Sequence, residues 1–141
     1  MMGRLIAWFH NLVATFTSCR HLAAKAIRKG HSDPENLREL LIWTTGIDTC
    51  PMVEAYFAKY HHDKDLLRRP VEIAQEGSDM GDTPWAAANV IADFPAPMLV
   101  PHRAALEELS RHDWMYISDP AKKTLDKIVG ESAFRESTQG K

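Results

Sequence analysis

Asp33-Pro34-Glu35-Asn36-Leu37-Arg38-Glu39-Leu40-Leu41-Ile42-Trp43 is the stretch that decides how this chain folds. A carboxylate directly ahead of proline is a helix start, because the side-chain oxygen accepts a free N–H of the first turn and proline at the first position forfeits only an N–H that has no intrahelical partner. Leu37, Leu40 and Leu41 then share one face, and Gly46 is a natural stop for a helix over 34–45. The signal recurs at Thr83-Pro84 and Asp119-Pro120. It predicts an alanine-rich helix over 84–94, ended by Pro95, and a last helix from Pro120 through Leu125, Ile128 and Val129, with a frayed tail over 137–141.

Between these starts the pattern stays helical. Thr49 and Pro51 open a segment in which Met52, Val53, Tyr56, Phe57 and Tyr60 line one face, ending near His62. Asp63 caps a short continuation through Leu66 and Leu67, which Pro70 is expected to interrupt. The stretch 76–82 reads as a polar loop. Pro95-Ala96-Pro97-Met98-Leu99-Val100-Pro101 reads as a rigid extended connector before a helix over 102–112. Trp114 to Ser118 is β-prone and can pair with Met98 to Val100 as a small two-stranded ribbon. The fold class expected is therefore mainly α: a compact bundle of five or six helices, with that one ribbon as a possible addition, forming a single helical domain over 1–136.

Upstream of Asp33, five of the chain's 17 basic residues and none of its 19 acids fall in the first thirty positions. Leu5, Phe9, Leu12, Phe16, Cys19, Ala23 and Ala26 repeat in alternating steps of four and three, while Arg4, Asn11, Ser18 and Lys25 fall on the opposite arc. This two-faced basic helix suits a core element, a protruding docking helix, an interfacial membrane helix with Trp8 at its edge, or a targeting segment. His10 and Asn11 interrupt the apolar run, so a membrane span is not expected. The acidic remainder of the chain argues against nucleic acid as a partner.

At 45% hydrophobic and 26% charged residues, the 141-residue chain is that of a globular protein with room for a core. Its two cysteines, Cys19 and Cys50, allow at most one disulfide, and reduced thiols in a cytoplasmic setting are the expectation, with membrane association as the alternative location. Cys50 at a helix start has a lowered-pKa geometry but no base within reach along its own helix.

Seven histidines raise the question of a metal. The candidate ligands are His61, His62, Asp63, His102, His112 and Asp113, two clusters that have to meet in space, since neither alone has zinc-ligand spacing. His62-Asp63 and His112-Asp113 are isolated dipeptides without a surrounding hydrolase pattern. Asp79-Met80-Gly81-Asp82 fails the calcium-loop pattern, and no phosphate-binding glycine loop or nucleophile elbow occurs. Trp8, Trp43, Trp85 and Trp114 fall on four different elements, which favours packing or a partner surface over a platform for stacking bases.

The function expected from these residues is a non-enzymatic, protein-binding module, an adaptor, inhibitor or regulatory subunit, that needs no cofactor and docks a protein partner or a second copy through Leu5, Trp8, Phe9, Leu12 and Phe16. A metal-dependent hydrolase on the His/Asp clusters and a peripheral membrane protein held by the basic helix are the alternatives.

Overall fold

Asp33 does cap its helix: Oδ1 accepts the Glu35 N–H at 3.0 Å. In the computed structural model, which describes residues 21–44, 49–76 and 82–139, the backbone is mainly α, with no strand among the described residues. After a helix at 21–29 (α1) come α2 (Pro34–Ile42), α3 (Pro51–Lys59), α4 (Lys64–Gln75), α5 (Thr83–Ala92), the single turn α6 (Ala96–Leu99), a 3-10 turn (Val100–His102), α7 (Arg103–Ser110) and α8 (Met115–Gln139). None of these helices is long and apolar enough to cross a membrane. The chain divides into two compact units between Tyr56 and Phe57.

In the first unit α1 ends at Gly30, whose φ of 76° only glycine adopts without strain, and whose N–H reaches the carbonyls of Ala26 and Ile27 at 3.2 Å. Asn36, buried on α2, donates its Nδ2 to the carbonyls of Ala26, at 2.8 Å, and Gly30, so the end of α1 is tied to the start of α2. Ala23 and Ala26 are buried and Lys25, Arg28 and Lys29 are exposed, as the two-faced pattern requires. Leu37, Leu40 and Leu41 are wholly buried, a gain of about 1.5–3 kcal/mol each. α2 stops at Ile42, short of the expected Thr45, because the Thr44 hydroxyl donates to the Leu41 carbonyl at 2.6 Å and competes with continued helix; Gly46 lies outside the described residues. Trp43 is buried, and its indole N–H has no acceptor among the described residues.

The second unit is a ring of four helices in which α4 packs on α5, α5 on α8, α8 on α7 and α7 on α4. α5 is its centre. Pro84, Ala86, Ala87, Ala88, Val90 and Ile91 are all buried, so the helix is covered nearly all round, and its small side chains let α4 and α8 close on two sides. Phe94, wholly buried, plugs the end of α5.

Four expectations are corrected here. Pro70 does not interrupt α4: Leu66, Leu67, Pro70, Val71, Ile73 and Ala74 form one buried stripe, and packing along it outweighs the roughly 3 kcal/mol that an interior proline costs. Asp119-Pro120 does not start the last helix, which begins five residues earlier and passes through Pro120. Its stripe of Ile117, Ala121, Thr124 and Ile128 is buried, and the carbonyl of Tyr116, which loses its partner to Pro120, belongs to a residue open to water. The connector before α7 is not extended, since Ala96–Leu99 and Val100–His102 are helical turns whose prolines stand at their starts. That removes the ribbon, both of whose proposed strands, Met98 to Val100 and Trp114 to Ser118, are helical apart from Trp114. Among the described residues α8 continues to Gln139, with an Arg135–Glu131 ion pair one turn apart.

Candidate functional site

Two constellations in the second unit bring chemistry-bearing side chains together. The first is aromatic. The Nδ1 of His112 accepts the Trp114 N–H at 3.0 Å, and the Trp114 carbonyl accepts the N–H groups of Ile117 and Ser118, so the entrance to α8 is held as a tight turn. Buried Ile117 and Ser118 pin one face of that first turn inward, which leaves Met115 (58% exposed) and Tyr116 (47%) facing water. The Tyr116 ring lies 5.4 Å from that of Trp114, edge to face, and 5.1 Å from that of Trp85 on α5, tilted at 53°. These are favourable aromatic separations, and both tryptophans are half-buried, with Tyr116 the most open of the three rings. Three exposed carboxylates stand near the rings in sequence, Asp113 next to Trp114, Asp119 three positions beyond Tyr116 and Asp82 three before Trp85, with exposed Lys122 and Lys123 following Asp119 on α8.

The second constellation sits at the C-terminal end of α5. Lys127, from α8, donates Nζ to the carbonyls of Phe94 at 2.7 Å and Ala92 at 3.2 Å, placing a positive charge where the helix dipole favours it. His61, in the turn after α3, stacks its ring 5.3 Å from Phe94. Desolvation pulls its imidazole below the ordinary histidine value, the Asp93 carboxylate works against this, and Lys127 and His62 reinforce it. The neutral imidazole of His61 is thereby favoured. Lys127 is engaged by the two carbonyls, so the arrangement caps the end of α5.

The structure scatters the proposed metal ligands. Asp63 spends Oδ1 on the N–H groups of Asp65 and Leu66 as the cap of α4, while His62 beside it is exposed. His102 lies in the 3-10 turn with its pKa lowered by desolvation, His112 has its Nδ1 engaged by Trp114, and Asp113 is exposed. Among the described residues no three His, Cys, Asp or Glu side chains are grouped as a metal ion requires. Cys50 is a buried free thiol just ahead of α3, its N–H given to the Trp43 carbonyl at 2.7 Å, and is closed to a substrate. Leu5, Trp8, Phe9, Leu12 and Phe16, the residues expected to dock a partner, lie outside the described residues.

In the first unit, a cleft of about 270 Å³ between α1 and α2 is lined by Lys25, Lys29, Asp33, Glu35, Asn36 and Glu39, with Leu22 and Ala26. Two lysines line this cleft with three carboxylates, one of which, Asp33, is engaged as the cap of α2, and the Asn36 amide is already spent on Ala26 and Gly30.

Sequence reasoning placed Trp85 and Trp114 on separate elements and missed that Tyr116 joins them. The signal within reach was the run Trp114-Met115-Tyr116, three large apolar residues in a row, of which a helix can bury only part. Compared with protein-family models, curated proteins and solved structures, the chain has no match.

Proposed function

We propose that this protein works by binding another protein, as an adaptor, inhibitor or regulatory subunit. The observation that supports this reading is the Trp85–Tyr116–Trp114 cluster with Met115 beside it, residue types that supply most of the binding energy at protein interfaces, left open to water at the junction of α5 and α8. The basic amphipathic segment 1–30 is the second docking element in this reading, with Phe9 and Phe16 as its anchors.

The test is affinity purification from the native source with the wild-type chain, Trp114→Ala/Tyr116→Ala and Phe9→Asp/Phe16→Asp, each checked for unchanged helix content. A stoichiometric partner lost from the first variant assigns docking to the aromatic cluster, and one lost only from the second assigns it to the N-terminal segment. Equal recovery by all three chains refutes the proposal.

A further inference from the structure

We propose that the aromatic cluster receives a lysine- or arginine-bearing segment of the partner protein. This rests on the cluster being a docking surface and adds the chemistry of what docks. Three rings in mutual contact at 5.1 and 5.4 Å present π faces and edges at one spot, and a guanidinium or ammonium group within about 6 Å of a ring centroid is attracted by the ring quadrupole. Charge selects the same occupant. Asp82, Asp113 and Asp119 are exposed within three positions of the rings, and among the described residues none of them enters an ion pair, whereas Arg68–Glu72, Arg103–Glu107 and Arg135–Glu131 pair within single helices. Arg111, the nearest arginine before the cluster, is turned back, with its Nε donating to the Glu107 carbonyl at 3.2 Å. Asp82, Asp113 and Asp119 thus place three carboxylates within three positions of the rings, with Lys122 and Lys123 a turn further along α8 than Asp119, and this local excess of acid disfavours phosphate backbones, anionic lipid and acidic peptides. Arginine satisfies both features at once, since its planar group stacks on a ring while its N–H fork meets a carboxylate.

The experiment uses the full chain and three probes: a 12-residue peptide of alternating arginine and glycine, the same peptide with glutamate for arginine, and a single-stranded oligothymidine of matching length. Binding is read from the indole N–H resonances of Trp85 and Trp114, with buried Trp43 as an internal reference. The arginine peptide is expected to shift the first two signals and leave Trp43 in place, and neither other probe to do so. Asp113→Asn/Asp119→Asn should weaken the arginine peptide about tenfold, Tyr116→Ala should abolish the shifts, and Tyr116→Phe should restore them. Equal binding of the glutamate peptide, preference for the oligonucleotide, or an unchanged affinity in the Asp→Asn variant overturns the proposal. Loss of the native partner from Trp114→Ala/Tyr116→Ala with no arginine-peptide binding leaves the docking surface standing and removes only the basic occupant. Self-association lost in Tyr116→Ala, again without arginine-peptide binding, assigns the cluster to apolar contact between copies and equally overturns it.

Discussion

Replacing Lys127 by methionine keeps the aliphatic stem and removes the ammonium that holds the carbonyls of Ala92 and Phe94 at 3.2 and 2.7 Å. Hydrogen bonds to a charged group contribute about 1.5–3 kcal/mol, and a cation at a helix C-terminus about 0.3–1 kcal/mol. Two deductions apply. The bond and dipole figures describe one overlapping attraction, and fixing a lysine stem costs up to about 2 kcal/mol of rotamer entropy. The net loss expected for Lys127→Met is therefore about 1–2 kcal/mol. In urea, with a slope of about 1–3 kcal/mol per molar, the midpoint falls by roughly 0.5–1 M, followed by circular dichroism. A second readout separates this from a general packing defect. Lys127 helps to depress the His61 imidazole, so in the variant His61 should titrate at a higher pH by NMR, yet stay below the ordinary value because desolvation, the larger cause, is untouched. A midpoint within about 0.1 M of wild type, or an unmoved His61, refutes the capping role.

Three further outcomes test the helices and their charges. Pro120→Ala restores an N–H inside α8 and should stabilise the protein by about 1–2 kcal/mol in the same urea assay, the relief of an interior proline less the entropy it removed from the unfolded chain; destabilisation means that α8 is broken at 120. Asp63→Ala removes an acceptor of two N–H groups at 2.9 and 3.1 Å and should cost about 1–2 kcal/mol, whereas Asp63→Asn or Asp63→Ser should recover most of it. Because His61 and His102 hold folded-state pKa values below 6.5, the unfolded chain takes up these protons first as pH falls. Their contribution is then nil well above 6.5 and increasingly destabilising from 6.5 down to the lowered values, where it levels off. A His61→Gln/His102→Gln variant should lose less melting temperature than wild type between pH 7.5 and 5, and parallel pH profiles rule the linkage out.

How much of the fold was legible depends on whether a local signal or burial decides each position. Asp33, Asp63 and Gly30 act through backbone groups within a few residues, so their roles as caps and stop follow from composition alone. Pro70 and Pro120 carry equally strong local signals, yet both lie inside helices. Each sits in a longer stripe, Leu66 to Ala74 and Ile117 to Ile128, whose burial against other helices exceeds what one missing hydrogen bond costs. Reading those stripes at helical period across the proline, instead of stopping at it, recovers both helices. The prolines at 97 and 101 mislead in the same direction as Pro70, for a different reason: a proline at the start of a turn is compatible with a helix that is only one turn long.

The site was far less legible, for a reason that also explains its form. Trp85 and Tyr116 are 31 positions apart and meet only because α5 and α8 are neighbours in the ring of helices. No spacing rule along the chain encodes that meeting. What the local sequence does encode is an excess: Trp114, Met115, Tyr116 and Ile117 are four consecutive apolar residues at the entrance to a helix that buries one narrow stripe. Ile117 takes the buried position, so Met115 and Tyr116 turn outward whatever else the chain does. A chain under no demand but folding has no use for tyrosine and methionine there, and helix propensity favours alanine, glutamate or lysine. Val100, Val129 and Phe134 are equally exposed, but the surplus apolar surface here gathers three rings in contact, with Trp85 brought to its edge by α5, and it is on this clustering that the proposed docking role rests.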